Sequence, residues 1–205
     1  MLFTDNIALK LGAMPQQVID GRRLHYYDKG EIIPLDPQGV WQICRGVVQL
    51  SQIDAQGEDT ILGWAISQAF FGLWLTQIDN YSANALSETY LKWYTVEELE
   101  RSNTLASLML KHVVSRLRQS EALLAITGLK RVEDRLVELL RFLKTELGEP
   151  SINGNTRLSI RLTHQNIANT IGTTRVTVTR LMGEFHRQGL VATDDKRHLI
   201  INEKR

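Results

Sequence analysis

The segment TLASLMLKHVVSRLRQSEALLAIT, residues 104–127, runs for 24 residues without a glycine or a proline. Ser102 and Asn103 stand before it, with side chains that accept hydrogen bonds from the first free N–H groups of a helix, and Gly128 closes it. One helix of roughly 36 Å is predicted at 1.5 Å per residue. A rod of that length is as long as a small domain is wide, so the rest of the chain has to be arranged around it. Leu110, Val113, Leu117, Ser120, Leu124 and Thr127 step along it by three and four, the spacing of a coiled-coil seam. Such a stripe can pack on the helix's own domain. Its persistence over the whole rod points to a partner helix instead, and a parallel homodimer is expected.

The texture differs on the two sides of the rod. Residues 22–94 hold all four Trp and all five Tyr, in short β-rich runs such as VWQICRGVVQLSQI and DTILGWAI. Turn sequences separate the runs: Asp28-Lys29-Gly30, Asp36-Pro37-Gln38-Gly39 and Asp54-Ala55-Gln56-Gly57. An antiparallel β-roll, of the cupin-like jelly-roll kind, is expected. Thr95-Val96-Glu97-Glu98 has capping-box spacing and opens a short helix before the rod. After the rod, VEDRLVELLRFLKTEL is an amphipathic helix with Val132, Leu136, Leu139, Leu140 and Leu143 on one side; GEPSINGN (148–155) reads as a turn-rich connector and RLSIRL as a strand. The fold class is α+β in three parts: roll 1–102, dimerisation helix 103–129, and a C-terminal unit 130–205.

Residues 1–129 carry 10 Lys and Arg against 14 Asp and Glu, and residues 130–205 carry 14 against 9. Only the last part is charged to meet a polyanion. Cys44 is the sole cysteine. It excludes an internal disulfide framework and an iron–sulfur cluster built from one chain's thiolates, and it reads as a small buried side chain. No apolar run approaches the roughly 20 residues of a membrane span, and the first residues show no basic region ahead of an apolar core. A cytoplasmic protein is expected.

Within the basic part, Thr163 can cap a short helix that runs to about Thr170 and buries Ile167, Ala168 and Ile171. Gly172 supplies a tight turn, and a second helix begins near Thr174. Val178, Leu181, Met182 and Phe185 share its inner face, which leaves Arg175, Val176, Thr177, Thr179 and Arg180 outside. An exposed valine weakens a helix slightly, so its presence needs a reason. Thymine methyl groups in a major groove supply one, arginines on the same ridge can pair with guanine, and threonines at the helix starts can reach phosphate. The alternative is an amphipathic helix with a solvated basic face. Downstream, GLVATDDKRHLIINE reads as two strands around Asp194-Asp195-Lys196-Arg197, a wing immediately after the helix. Winged helix-turn-helix binding of double-stranded DNA is the expectation.

In KGEIIPLD, CRGVVQLSQIDAQGEDTIL, FFGLWL, RVEDRLVELL and above all LTHQNIANTIGTTRVTVTRLMGEF, the chain resembles the cyclic-AMP receptor/fumarate-nitrate regulator (CRP/FNR) superfamily of bacterial transcription factors over nearly its whole length. It looks most like the cyanobacterial global nitrogen regulator subfamily, whose recognition helix also reads Thr-Arg-Val-Thr-Val-Thr-Arg. The resemblance implies base contacts by Arg175, Val176 and Arg180, and Thr179 on the same face is counted among the base contacts with them. It implies backbone contacts by Thr163, His164, Gln165, Thr173 and Thr174, to which Lys196 of the wing is added. A palindromic GTA…TAC-like site, a homodimer seam through Leu110, Val113, Leu117, Ser120 and Leu124, and RNA polymerase as a further partner are also implied.

The sensor end departs from the family. Relatives that bind cyclic nucleotides carry Phe-Gly-Glu-Leu and, about ten residues on, an arginine for the phosphate. Here Phe71-Gly72-Leu73-Trp74 puts leucine at the glutamate, and the arginine's place falls on Asp79 or Tyr81. Residues 46–91 hold no Lys, Arg or His, which argues against cyclic AMP or GMP. The nitrogen regulators sense 2-oxoglutarate, and an arginine and a glutamate of their ligand set match Arg116 and Glu121. One arginine can still hold one carboxylate, so 2-oxoglutarate stays open. Arg116 and Glu121 can equally form an ion pair across a dimer seam, with no effector at all. No cofactor is implied with certainty. An enzyme of the metal-dependent β-roll kind is excluded because His25 is the roll's single histidine. A dimeric interaction module without DNA specificity is the remaining alternative, and Arg175 and Arg180 argue against it.

Overall fold

The computed structural model describes residues 18–19, 21–151 and 154–202. The reading of the first residues as lacking a leader, and part of the 148–155 connector, lie outside them. Strands β1 (Val18–Ile19) and β2 (Arg22–Arg23) pair antiparallel. The roll follows as β3 (His25–Tyr27), β4 (Gly39–Arg45), β5 (Val48–Ile53), β6 (Asp59–Ala65), β7 (Phe70–Phe71), β8 (Tyr81–Ala85) and β9 (Thr89–Thr95). These strands form two antiparallel sheets, ordered β3-β9-β4-β7 and β6-β5-β8. The expected turn between β5 and β6 closes through Asp54, whose Oδ1 accepts the N–H groups of Gln56 and Glu58 at 2.8 Å. Gly57 there has φ +82°, which only glycine adopts at no steric cost. Alternation along the strands sends Trp41, Ile43, Val48, Leu50, Phe71, Ala83 and Leu91 into a core between the sheets, which Ile33 joins from the segment between β3 and β4. Cys44 is half-buried rather than buried, because it follows Ile43 at the irregular end of the β4–β9 ladder.

Helix α1 (Val96–Arg101) carries the expected capping box, with Thr95 and Glu98 exchanging hydrogen bonds. The rod is a single helix, α2 (Asn103–Thr127), capped by Ser102, whose side chain accepts from Leu105 N–H. Gly128 ends it while staying right-handed (φ −70°), and its N–H bonds to Leu124 C=O. Next comes α3 (Val132–Leu147), with Leu136, Leu139, Leu140, Leu143 and Leu147 all buried.

The connector departs from the expectation of turns alone. Gly148–Pro150 is a strand, β10, paired with β11 (Thr156–Leu158), and RLSIRL is strand only in its first residues. Pro150 is tolerated because β10 lies at a sheet edge. After α4 (His164–Ile171) and α5 (Arg175–Arg187), the wing strands β12 (Val191–Thr193) and β13 (Leu199–Ile201) complete a sheet ordered β10-β11-β13-β12.

One apolar core joins the C-terminal helices to the outside of the roll. Val47, Ile61 and Trp64 pack in the same cluster as Leu123, Leu136, Ile167, Ile171 and Phe185. The Trp64 and Phe142 rings lie 6.4 Å apart. Gln49, on the outer face of β5, is covered as well: Asn166 Nδ2 of α4 donates to its Oε1 at 3.2 Å.

Candidate nucleic-acid interface

Helix α4 starts where Thr163 accepts from Asn166 N–H at 3.0 Å, and Asn166 Oδ1 accepts from Thr163 N–H at 3.0 Å in return. Gly172 ends it at φ +63°, the left-handed conformation that lets the chain turn sharply. Thr174 then caps α5 by accepting from Thr177 N–H at 3.2 Å. Val178, Leu181, Met182 and Phe185 are buried. Each contributes about 1.5–3 kcal/mol as an upper figure for complete burial, which fixes the opposite face outward.

That outward face holds Arg175, Val176, Thr179 and Arg180, all exposed, with Val176 at 78%. Tertiary packing uses none of these four side chains as core. The Thr179 hydroxyl donates to Arg175 C=O at 2.9 Å and lies 2.9 Å from His164 Nδ1. With its one proton given to the carbonyl, it receives the imidazole N–H, so the start of α4 is stitched to the middle of α5. Burial and the nearby Arg175 cation hold the His164 imidazole below its ordinary pKa. Gln165 donates to Asn169 Oδ1 at 2.6 Å, and Thr173 is half-buried in the turn. Arg180 Nη1 donates to Glu184 Oε1 at 2.6 Å, a pair whose i,i+4 spacing was readable in the sequence.

The wing turn carries Lys196, exposed, at its tip. Asp194 organises the turn: its Oδ1 accepts from His198 N–H at 2.7 Å and its Oδ2 from Arg157 Nε at 2.7 Å. Arg157 Nη2 also lies 2.6 Å from His198 Nδ1, and since a guanidinium only donates, that nitrogen carries no proton. The Arg157 hydrogen bond holds the Asp194 carboxyl at about 2.

The residues expected around an effector are spread over different environments. Phe71 is part of the roll core, Leu73 is half-buried in a short 3-10 turn, and Trp74 is 43% exposed. Gly72 is packed against the backbone of Gly39 and Val40. Arg116 and Glu121, five positions apart on α2, point to different sides: Glu121 is exposed, while Arg116 turns in toward the roll. Asp79 is exposed in a turn, whereas Tyr81 is half-buried and near enough to Arg116 for each to influence the other's charge. Arg116 Nη1 donates to Gln119 Oε1, which also accepts Trp64 N–H at 2.9 Å. Gln119 Nε2 donates to Glu146 Oε2 of α3 at 3.0 Å. Burial lowers the Arg116 pKa and pushes the Tyr81 phenol up to about 12. This polar chain from β6 through α2 to α3 was not anticipated. Gln119 lacked a signal in sequence because the partners that bury it are 55 and 27 positions away. Hollows of about 510 and 430 Å³ lie at the start of α2, with Thr104 and Leu108 lining both.

The expected dimer stripe is on the surface. Leu110, Val113, Leu117 and Leu124 range from 37% exposed at Val113 to 74% at Leu124, and Ser120 is exposed beside them.

Residues 130–205 match the family model described as a Crp-like helix-turn-helix domain. The global nitrogen regulator of Synechococcus elongatus is 30% identical over 204 residues, covering 93% of this chain and 88% of that protein. The regulatory protein CysR of the same organism is 31% identical over 189 residues, covering 91% and 84%. Among solved structures, a transcriptional regulator of the CRP/FNR family from Thermus thermophilus superposes with a TM-score of 0.72 at 21% identity, covering 88% of this chain and 93% of that one.

Proposed function

The chain belongs to the CRP/FNR family of transcription regulators, near the global nitrogen regulators, and is not an enzyme; from that premise we propose that it is a homodimeric, sequence-specific DNA-binding regulator. It reads a palindromic GTA…TAC-like site and serves a nutrient response, nitrogen or sulfur. One observation carries this reading: α5 buries its whole apolar face yet leaves Val176 exposed between Arg175 and Arg180. The fold gains nothing from that valine, and a major groove offers it thymine methyl groups while the arginines meet guanine. Arg175, Val176 and Arg180 contact bases. Thr163, His164, Gln165, Thr173, Thr174 and Lys196 line up the phosphate backbone, while Thr179, expected among the base contacts, has its hydroxyl taken up by Arg175 C=O and His164 Nδ1 and acts through that bond. In this division of labour the roll 1–102 is the sensor-type part, 103–129 pairs the subunits, and 130–205 binds DNA. RNA polymerase is the protein partner.

Selection of duplexes from a random pool should enrich paired GTA and TAC half-sites. The double variant Arg175→Ala, Arg180→Ala should lose that preference while it keeps weak binding to any duplex. Each arginine is worth about 1–3 kcal/mol of base discrimination and counts in both half-sites. An unchanged ratio of selected to scrambled duplex would return the chain to the class of interaction modules.

Cyclic nucleotides are not the effector in this reading. Residues 46–91 offer a phosphate no cation, and Leu73 cannot bond a ribose hydroxyl. A 2-oxoglutarate-sensing role would have to recruit Arg116 away from Gln119. Calorimetry of the pure protein with 2-oxoglutarate separates the two: micromolar binding would establish the sensing role, and its absence would support control without this ligand.

A further inference from the structure

From Pro150 to Thr193 the chain carries five arginines and a single acidic residue, Glu184. That acid lies one helical turn beyond Arg180, and its Oε1 accepts a hydrogen bond from Arg180 Nη1 at 2.6 Å. Arg180 is exposed and Glu184 is half-buried, so the pair lies at the water boundary. Exposed ion pairs of this spacing add little to helix stability, and arginine ahead of glutamate is the less favourable order along the helix dipole. The fold therefore gains little from placing a carboxylate on α5, which holds no other acid.

We propose that Glu184 is a specificity-determining residue that makes Arg180 a reader of base edges and withholds it from unspecific phosphate binding. This rests on the reading of α5 as a DNA-recognition helix. A guanidinium has five N–H groups, and the Glu184 carboxylate engages one of them at Nη1. The Nε and Nη2 hydrogens remain free to donate two parallel bonds, the pattern that guanine O6 and N7 accept. Guanine is neutral, so an arginine–carboxylate pair with no net charge meets it without electrostatic loss. Phosphate is charged. Toward phosphate the pair offers no net cation, displaces no counterion, and adds the repulsion of the carboxylate. Holding the long side chain in place also lessens the rotamer freedom that Arg180 loses on binding.

The test uses the full-length protein and two duplexes: one enriched by the wild type from a random pool, and one of the same composition scrambled. Glu184→Gln should bind the scrambled duplex roughly fivefold to tenfold more tightly per subunit at about 0.1 M salt. Its log–log salt dependence should steepen by about 0.9 per subunit, the effect of one added phosphate contact. Affinity for the enriched duplex should change less, so the specificity ratio falls. Glu184→Asp, which keeps the charge, should retain the wild-type salt slope. In an Arg180→Ala background, Glu184→Gln should no longer lower the ratio, whereas a merely structural role would still lower it. Equal ratios and slopes in wild type and Glu184→Gln would overturn the inference while leaving the recognition helix intact. Failure of the wild type to enrich any sequence would overturn the recognition-helix reading, and this inference with it.

Discussion

Gly63 leaves space where every other residue carries a methyl or more. It sits in β6 at φ +138°, and a Cβ added there would overlap Gln119 Oε1 and Arg116 Nη1. The backbone N–H of its neighbour Trp64 is capped by that same Gln119. Gly63→Ala therefore both strains the backbone and pushes the Arg116–Gln119–Glu146 chain apart. It should cost about 1–3 kcal/mol in urea unfolding. A neutral result would mean that the long side chains of α2 shift aside freely. The same residue scale accounts for Val176. Its 78% exposure gains nothing from the fold, so Val176→Ala should leave stability within about 0.5 kcal/mol, as expected for surface positions.

At the scale of elements, α2 and the wing carry separate expectations. The stripe of Leu110, Val113, Leu117 and Leu124 is apolar surface on a 25-residue helix. A charge in its middle should oppose pairing. Leu117→Glu is expected to sediment as a monomer and to lose affinity for a two-half-site duplex, with the roll unaffected. A variant that stays dimeric would remove α2 as the seam. In the wing, Arg157 and the His198 N–H together hold the Asp194 carboxyl down to about 2, below its ordinary value of 3.8. A carboxyl depressed in the folded state stabilises above its unfolded value and loses that contribution as pH falls from about 3.8 toward 2. His198 is also lowered, first by burial and then by Arg157, so it opposes acidification below 6.5 in the same sense. The wing should thus weaken in two acid steps. Arg157→Ala should move the lower step upward, as seen in the pH dependence of amide exchange at Asp194 and His198, whose N–H groups bond across the turn.

For the whole molecule, the shared core makes the roll and the C-terminal unit one cooperative body. Trp64, 1% exposed, belongs to β6 but packs among the leucines of α3 and against Phe142. Calorimetry of the wild type should show a single transition. Trp64→Ala should cost about 3–5 kcal/mol and separate the transition into two, since it removes the largest side chain joining the units. Two transitions already in the wild type would refute the coupling. The Gln119–Glu146 and Gln49–Asn166 hydrogen bonds fasten the same boundary with polar contacts, and these fix the register in which the units meet.

The local elements were written in the chain because their causes are local. Capping residues, glycine turns and apolar spacing determined the extents of α2, α3, α4 and α5, the alternation of the roll, and which side of α5 turns outward. The exposed arginines and valine of that face, and the leucine stripe of α2, followed from periodicity alone. What only the tertiary structure decided depends on partners distant in sequence. Periodicity carries no information about which face of the roll meets which helix, so the burial of Trp64 and Gln49 against the C-terminal unit was invisible. Arg116 turned inward to Gln119, while Glu121 stayed outside, because the helix faces the roll along one side only and five residues span about 140° of rotation. The strand at Gly148–Pro150 exists because Thr156–Leu158 lies beside it to complete its ladder, a pairing that its own turn-rich composition conceals.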